Sequence, residues 1–292
     1  MNKLRARDRL VSSLSADKFF KATAVEVTAS AKNAIERHQL NPLAATLMTE
    51  LFVATQLAAA SLQGEETLAI KVKCRGSLGG ATCETNGTGE VRGYVNEANP
   101  PAEGDSRQSM RENALGDGEL LVQKWLSASK EPTLSVTPLH YKDIAKDLTW
   151  FFFQSEQVPT AIKIDVSLDD NLNVTQALGL MVQALPLAPE ERLSEMEGQF
   201  ASLEPLAGFV SKETHIASLA TEALPGYQFK QTHQRAIDFY CRCSKQGFAQ
   251  RLATLPPKEL HEMAEEGSQE IVCHYCHEKY YYTPDDLKNL IP

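Results

Sequence analysis

From Ile237 the chain reads IDFYCRCSKQ (237–246), and from Ile271 it reads IVCHYCHEKYYYTPDDL (271–287). Cys241-Arg242-Cys243 and Cys273-His274-Tyr275-Cys276 therefore flank an interval of 29 residues. Two close cysteine pairs separated by a loop of this size can converge on one tetrahedral zinc ion, in the general style of a zinc ribbon. The usual first half is CxxC. Here it is CxC, a tighter chelate loop.

Size makes a metal necessary for this block. The 56 residues from Ile237 to the end bury too little apolar surface to offset chain entropy, and domains this small generally need a staple. Zinc bound by thiolates contributes about 10–16 kcal/mol of apparent binding energy, which becomes folding energy. Thiolates are also the groups that oxidants attack. An all-thiolate site therefore links oxidation to metal loss, and metal loss to local unfolding. On spacing alone a purely structural ribbon, with no redox role, is the commonest fate of four clustered cysteines. A thioredoxin-like site at CHYC lacks the surrounding βαβ pattern. His274 and His277 read as surface residues, since four thiols already fill the coordination shell.

Working outward, Ala188 to about Ala223 is helical, polar and acidic. Pro189, Glu190 and Glu191 suit a helix start. Leu193, Met196, Phe200 and Leu203 form one narrow apolar stripe, and Ile216, Leu219 and Leu224 form a second after Gly208. The ordinary meaning of such stripes is amphipathic helices docked on a core. Helices with so few apolar anchors bury little area and are cheaply released.

Up to Leu187 helix and strand signals alternate. Asn41–Gln63 reads as a helix, with Leu43, Leu47, Leu51, Ala54 and Leu57 at helical spacing and Pro42 in its first turn. Leu68–Cys74 alternates as a half-buried strand, with Leu68, Ile70, Val72 and Cys74 opposite Lys71 and Lys73. Glycines at 76, 79, 80, 87 and 89 mark turns before a strand at Val91–Val95. Ala161–Leu168 alternates again through Ile162, Ile164 and Val166. Helices and strands without regular βαβ spacing indicate the α+β class. The expected organisation is an α+β core domain at 1–187, a helical and metastable linker at 188–236, and a C-terminal zinc-binding redox-switch domain at 237–292. Cys74 and Cys83 lie in or beside strands, where free cysteines behave as small buried hydrophobes.

Composition excludes several classes of function. The net charge is −9, and the residues from Ile237 onward carry nine acidic against six basic side chains. No clustered Lys/Arg surface for phosphate is visible, so nucleic acid is not an expected partner. No run approaches the roughly 18 apolar residues of a membrane span. The basic N-terminus MNKLRARDRLVSSLSADKFFKA has no apolar h-region, and Asp8 and Asp17 argue against a transit peptide, so a cytoplasmic location is expected. In that setting clustered thiols are metal-binding or redox-active rather than structural disulfides. No GxxxxGK[ST], GxSxG or HExxH motif is present, and no enzymatic activity is expected.

These residues resemble the redox-regulated 33 kDa heat-shock holdase chaperones. The resemblance rests on CxC followed by CxxC at this distance, within IDFYCRCSKQ…LATLPPKEL…IVCHYCHEKYYYTPDDL. It extends to VRGY (Val91–Tyr94), SEQVPT (Ser155–Thr160) and LMVQALP (Leu180–Pro186), in the family's order and over nearly the whole chain. It implies an ATP-independent holdase for unfolding proteins, inactive while Cys241, Cys243, Cys273 and Cys276 are reduced and hold one zinc ion. On oxidation it implies that Cys241 pairs with Cys243 and Cys273 with Cys276. Zinc release, unfolding of the C-terminal domain, loosening of the linker and homodimerisation would follow. Cys74 and Cys83 are not part of that switch.

One part has independent physical support. A holdase needs apolar surface on demand, whereas a permanently exposed patch aggregates. A sparsely anchored linker beside a metal-dependent domain meets both needs. The two stripes, Leu193/Met196/Phe200/Leu203 and Ile216/Leu219/Leu224, are thus the candidate client-binding residues. The rival readings are a thiol–disulfide oxidoreductase using Cys273 and Cys276, and a zinc-ribbon module that binds partners in its reduced form.

Overall fold

The computed structural model describes residues 8–210 and 216–291, so the basic residues 1–7 and the linker residues 211–215 lie outside the description. The chain divides into two units, Met1–Phe239 and Tyr240–Pro292.

In the first unit β1 (Asp8–Leu14) and β2 (Phe20–Glu26) lead into α1 (Thr28–His38) and α2 (Pro42–Ala58). No side chain of α1 itself caps its first turn. The carboxylate of Asp8 does so from β1, accepting the N–H groups of Ala29 and Ser30 at 2.9 and 2.6 Å. α2 is started by Asn41, whose side chain accepts from Ala44 N at 3.0 Å, with Pro42 at the first helical position. The spacing predicts this helix as far as Gln63, but it ends at Ala58. Gly64, at φ +53°, turns the chain into β3 (Gly64–Cys74).

β4 (Ala81–Gly87), β5 (Glu90–Val95), α3 (Arg107–Leu115), β6 (Gly118–Trp125) and β7 (Thr133–Pro138) follow. α4 (Ile144–Phe151) then runs into a single π-helical turn at Phe152–Glu156, and β8 (Thr160–Leu168) pairs with β9 (Val174–Ala184). The alternation expected in β3 is present: Leu68, Ile70 and Val72 are buried, whereas Lys71 and Lys73 are not. The strands expected at Val91–Val95 and Ala161–Leu168 each begin one residue earlier.

After β9 the helical character predicted for 188–223 is broken into pieces. These are α5 (Glu190–Ala201), 3-10 turns at Leu206–Phe209 and Ile216–Ser218, α6 (Leu219–Ala223), and a last turn at Pro225–Tyr227. The expected helical linker reached residue 236, but Lys230–Phe239 is strand β10. Residues 230–236 therefore belong to the sheet, and the unit boundary follows Phe239 rather than Ala236. The sequence hides this strand because Lys230–Gln234 is polar and exposed on both faces, so no period-two signal exists. What holds it is backbone pairing with β1, from Asp8↔Ile237 to Leu14↔Lys230. Arg235 adds an anchor, donating to the carbonyl of Ala59 at 2.9 Å just past the end of α2.

The ten-stranded sheet runs β7-β6-β3-β4-β5-β10-β1-β2-β9-β8. Its two halves meet where β5 and β10 pair in parallel, through Asp238↔Glu90 and Phe239↔Val91. α2 is buried on nearly all sides in the main core, with Leu47, Leu51, Phe52, Val53 and Leu57 fully covered. Two glycines permit its close approach. A Cβ on Gly179 would lie 2.3 Å from Val53 Cγ1, and one on Gly93 would lie 2.8 Å from Phe52 Cε1.

The opposite face of β1, β2 and β9 carries a second core. Phe20, Ala22, Ala24, Leu178, Leu180 and Val182 point into it. β2 and β9 thus have buried residues on both faces, and in β9 this accompanies the continuous run Ala177–Val182 with no polar side chain. This second core is closed by the segment between β9 and β10.

The second unit contains α7 (Lys245–Leu252), α8 (Pro257–Glu266), the hairpin β11 (Gln269–Val272) and β12 (Lys279–Tyr282), and α9 (Pro284–Lys288). Its core is small, with Leu252, Leu260, Ala264, Tyr282 and Leu287 buried. A lone two-stranded sheet over so few residues is marginal in water. Among the described residues no helix is long and apolar enough to cross a membrane.

Candidate metal centre

Cys241 and Cys243 lie in the extended chain leading to α7. Ser244, directly after Cys243, caps that helix by accepting from Gly247 N at 3.0 Å. Cys273 and Cys276 sit in the turn of the β11–β12 hairpin. The turn is closed by Cys273 N donating to Glu278 O at 2.9 Å and by His277 N donating to Cys273 O at 2.8 Å. His277 takes a left-handed conformation there (φ +55°), which folds the chain back after Cys276.

Between them the two segments bring all four sulfurs to within 4.8 Å of one another. Cys241 Sγ is 3.8 Å from Cys273 Sγ, and Cys243 Sγ is 3.3 Å from Cys276 Sγ. Four sulfurs each about 2.3 Å from a central zinc ion form a tetrahedron with edges of about 3.8 Å. The residues fit that group in number, chemistry and spacing. No disulfide joins them, and the hairpin pair is buried while the CxC pair is partly exposed.

The protons tell the same story. Burial pushes the thiols of Cys273 and Cys276 upward, and the neighbouring Cys241 sulfur adds to the rise. Burial and crowding thus oppose ionisation of the hairpin pair; a bound cation would reverse that preference and hold the sulfurs as thiolates. Tyr280, on β12, places its hydroxyl 3.1 Å from Cys243 Sγ, and that contact pushes the phenol's pKa up. His274 and His277 are exposed and lie outside the sulfur cluster.

Cys74 and Cys83 belong to the first unit. Cys83 is fully buried in the main core, where burial pushes its thiol upward; Cys74 is half-buried and shifted the same way. Both behave as small apolar side chains. Of the two apolar stripes, Met196, Phe200, Ile216, Leu219 and Leu224 are buried in the second core, and Leu193 and Leu203 pack partly buried against it. Sequence reasoning missed Tyr280. The signal available was the alternation in KYYY, where Tyr280 and Tyr282 share the inward face and Tyr281 is exposed.

Fold and site together define a class: an α+β domain with one large mixed sheet and a helical cover, followed by a small four-cysteine metal-type module. The chain belongs to the Hsp33 protein family, whose model matches residues 8–283. It is 30% identical over 287 residues to the 33 kDa chaperonin of Lactococcus lactis subsp. lactis (strain IL1403), covering 97% of this chain and 99% of that one. It is equally 30% identical, over 286 residues, to the 33 kDa chaperonin of Streptococcus agalactiae serotype III, covering 97% and 98%. The crystal structure of the 33 kDa chaperonin of Thermotoga maritima superposes with a TM-score of 0.85 at 25% identity, over 97% of both chains. The α+β class, with a C-terminal cysteine cluster that could hold a metal, is therefore established, as is membership of a chaperone family.

Proposed function

We propose that this protein is a redox-regulated, ATP-independent holdase that binds unfolding client proteins in the cytoplasm under oxidative stress. The observation that carries the reading is the convergence of Cys241, Cys243, Cys273 and Cys276 within 4.8 Å, in a unit with almost no other core. When bound, one zinc ion would cross-link the hairpin to the CxC segment and so stabilise the whole second unit.

Oxidation withdraws sulfurs from this arrangement two at a time. One thiolate attacks a peroxide, forming an S–O bond as the O–O bond breaks and hydroxide leaves. A second thiolate then displaces hydroxide from that sulfur, forming S–S as S–O breaks. Two thiolates lose two electrons and the peroxide, with two protons, becomes two waters. The proposed pairs are Cys241–Cys243 and Cys273–Cys276, which follow the family pattern rather than the sulfur distances, since the shorter approaches run between the two motifs.

With the second unit unfolded, the segment 188–229 is the surface proposed for clients, through Leu193, Met196, Phe200, Leu203, Ile216, Leu219 and Leu224. In the reduced fold these side chains cover the second core, which supports a resting state without client-binding surface. The oxidised form is proposed to be a homodimer, with neither nucleic acid nor membrane as partner and with no catalytic step.

The test compares suppression of aggregation of a heat-unfolded client, without ATP, by zinc-loaded reduced protein and by peroxide-oxidised protein. Strong suppression only after oxidation is expected. Equal activity in both states, or activity confined to the reduced state, would return a ribbon-type binding module to first place.

A further inference from the structure

β12 reaches back to the CxC segment with two phenols, and the geometry points to a role for one of them that the four ligands alone do not supply. Tyr280 and Tyr282 lie two residues apart on one face of β12, and their hydroxyls meet positions two residues apart in the facing chain. Tyr280 Oη is 3.1 Å from Cys243 Sγ, and Tyr282 Oη donates to the carbonyl of Lys245 at 2.5 Å. The Tyr280 ring packs against Phe248 of α7, at 5.3 Å between ring centroids, and sits opposite Ile271 in the hairpin register. Tyr282 is buried. The two hydroxyls thus differ in one respect: one contacts a sulfur and the other a backbone carbonyl.

We propose that Tyr280 is a positioning residue that donates a hydrogen bond to the Cys243 thiolate, lowering its reactivity and slowing its loss to peroxide. This rests on the metal and redox reading above. A metal-held thiolate is an acceptor, so the phenol donates to it, and a hydrogen bond to an ionised acceptor stabilises the charge that an oxidant would otherwise take. The CxC pair is the partly exposed half of the cluster, so this is also where dissolved peroxide has access. Tyr280 therefore sets how much oxidant is needed before the switch opens, without being a ligand.

The experiment uses the full chain as wild type, Tyr280→Phe and Tyr282→Phe. Both variants keep the ring and remove one hydroxyl. Two quantities are read: the rate of zinc release under a fixed excess of hydrogen peroxide, and the thiolate-to-cobalt charge-transfer band of the cobalt-substituted reduced protein. Tyr280→Phe is expected to bind one metal per chain and to release zinc faster, by about tenfold or more, the scale of one hydrogen bond to a charged group. Its charge-transfer band moves to lower energy, because the sulfur lone pair is no longer stabilised. Tyr282→Phe leaves the band where it is. A Tyr280→Phe protein matching wild type in both readouts overturns the proposal while leaving the switch intact. So does equal acceleration in both variants with no band shift, which would make both phenols simple fold contacts. Failure of the wild type itself to bind cobalt stoichiometrically overturns the metal reading, and this inference with it.

Discussion

A buried carboxyl outside the cysteine cluster of the second unit makes the clearest pH prediction. Glu50 lies within α2 with its side chain 7% exposed, and its ion-pair partner is Arg111, at 2.9 Å. Arg111 also reaches Asp143 at 3.4 Å. Burial pushes the Glu50 carboxyl up to about 7; Arg111 holds it down and Asp143 works against that. Below the unfolded value of 4.5 the group is protonated in both states and contributes nothing. Between 4.5 and about 7 the folded chain keeps a proton that the unfolded chain has released, so stability falls as pH rises. The cost is complete above about 7, on the order of 3 kcal/mol at about 1.4 kcal/mol per unit. Glu50→Gln removes the titration. In urea unfolding followed by the fluorescence of Trp125 and Trp150, its stability relative to wild type is expected to improve by that order from pH 5 to pH 8. A difference that is flat with pH would show Glu50 ionised throughout and held by Arg111.

At the scale of the element, the segment from α5 to β10 decides whether apolar surface can be delivered on demand. Its polar ties are modest: Arg192 with Asp17 at 2.6 Å, and Lys163 with the carbonyl of Leu203 at 2.8 Å. Exposed or half-exposed pairs of this kind are worth about 1 kcal/mol or less. The docking therefore depends on a few side chains entering the second core. Phe200→Ser together with Leu203→Ser removes two of them, and truncation of a buried Phe alone costs about 3–5 kcal/mol. Two outcomes follow from one cause. The reduced variant should be cut by protease within α5 sooner than wild type, because α5 is no longer held down. After oxidation it should suppress aggregation less, because the same side chains no longer meet clients. Wild-type suppression by the oxidised variant would remove these residues from the client surface. The first stripe was legible because helical spacing survives in α5, which carries Leu193, Met196 and Phe200. β10 was illegible because its contribution is backbone pairing by polar residues, which leaves no apolar pattern. Likewise β1 and β9 show no clean alternation, since cores cover both of their faces. The cysteine cluster was legible for the opposite reason: a group that could hold a metal needs particular atoms at particular spacings, and those are written directly in the sequence. Tyr280 was not, because a phenol's partner depends on the register of a hairpin.

The whole molecule pairs a unit that holds itself together with one that does not. The first has two cores on opposite faces of a ten-stranded sheet, whereas among the described residues of the second unit only Leu252, Leu260, Ala264, Tyr282 and Leu287 are buried besides two of its cysteines. A core of that size rarely supplies more than about 3–5 kcal/mol, against about 10–16 kcal/mol from a thiolate-bound zinc ion. Removing the metal under reducing conditions is therefore expected to unfold the second unit and spare the sheet. The reporters are well placed to separate the two events. Both tryptophans, Trp125 and Trp150, lie in the first unit, whereas Tyr240, Tyr275, Tyr280, Tyr281 and Tyr282 lie in the second. Titrating the reduced protein with a strong zinc chelator should remove the share of the near-ultraviolet tyrosine dichroism that comes from these five residues, leaving that of Tyr94, Tyr141 and Tyr227 in the first unit, while tryptophan fluorescence stays native. Added zinc should restore the lost signal. If the tyrosine signal instead survives complete metal removal, the second unit folds without its metal. Oxidation could then expel zinc without unfolding anything, and the link from sulfur chemistry to released apolar surface would be broken at its first step.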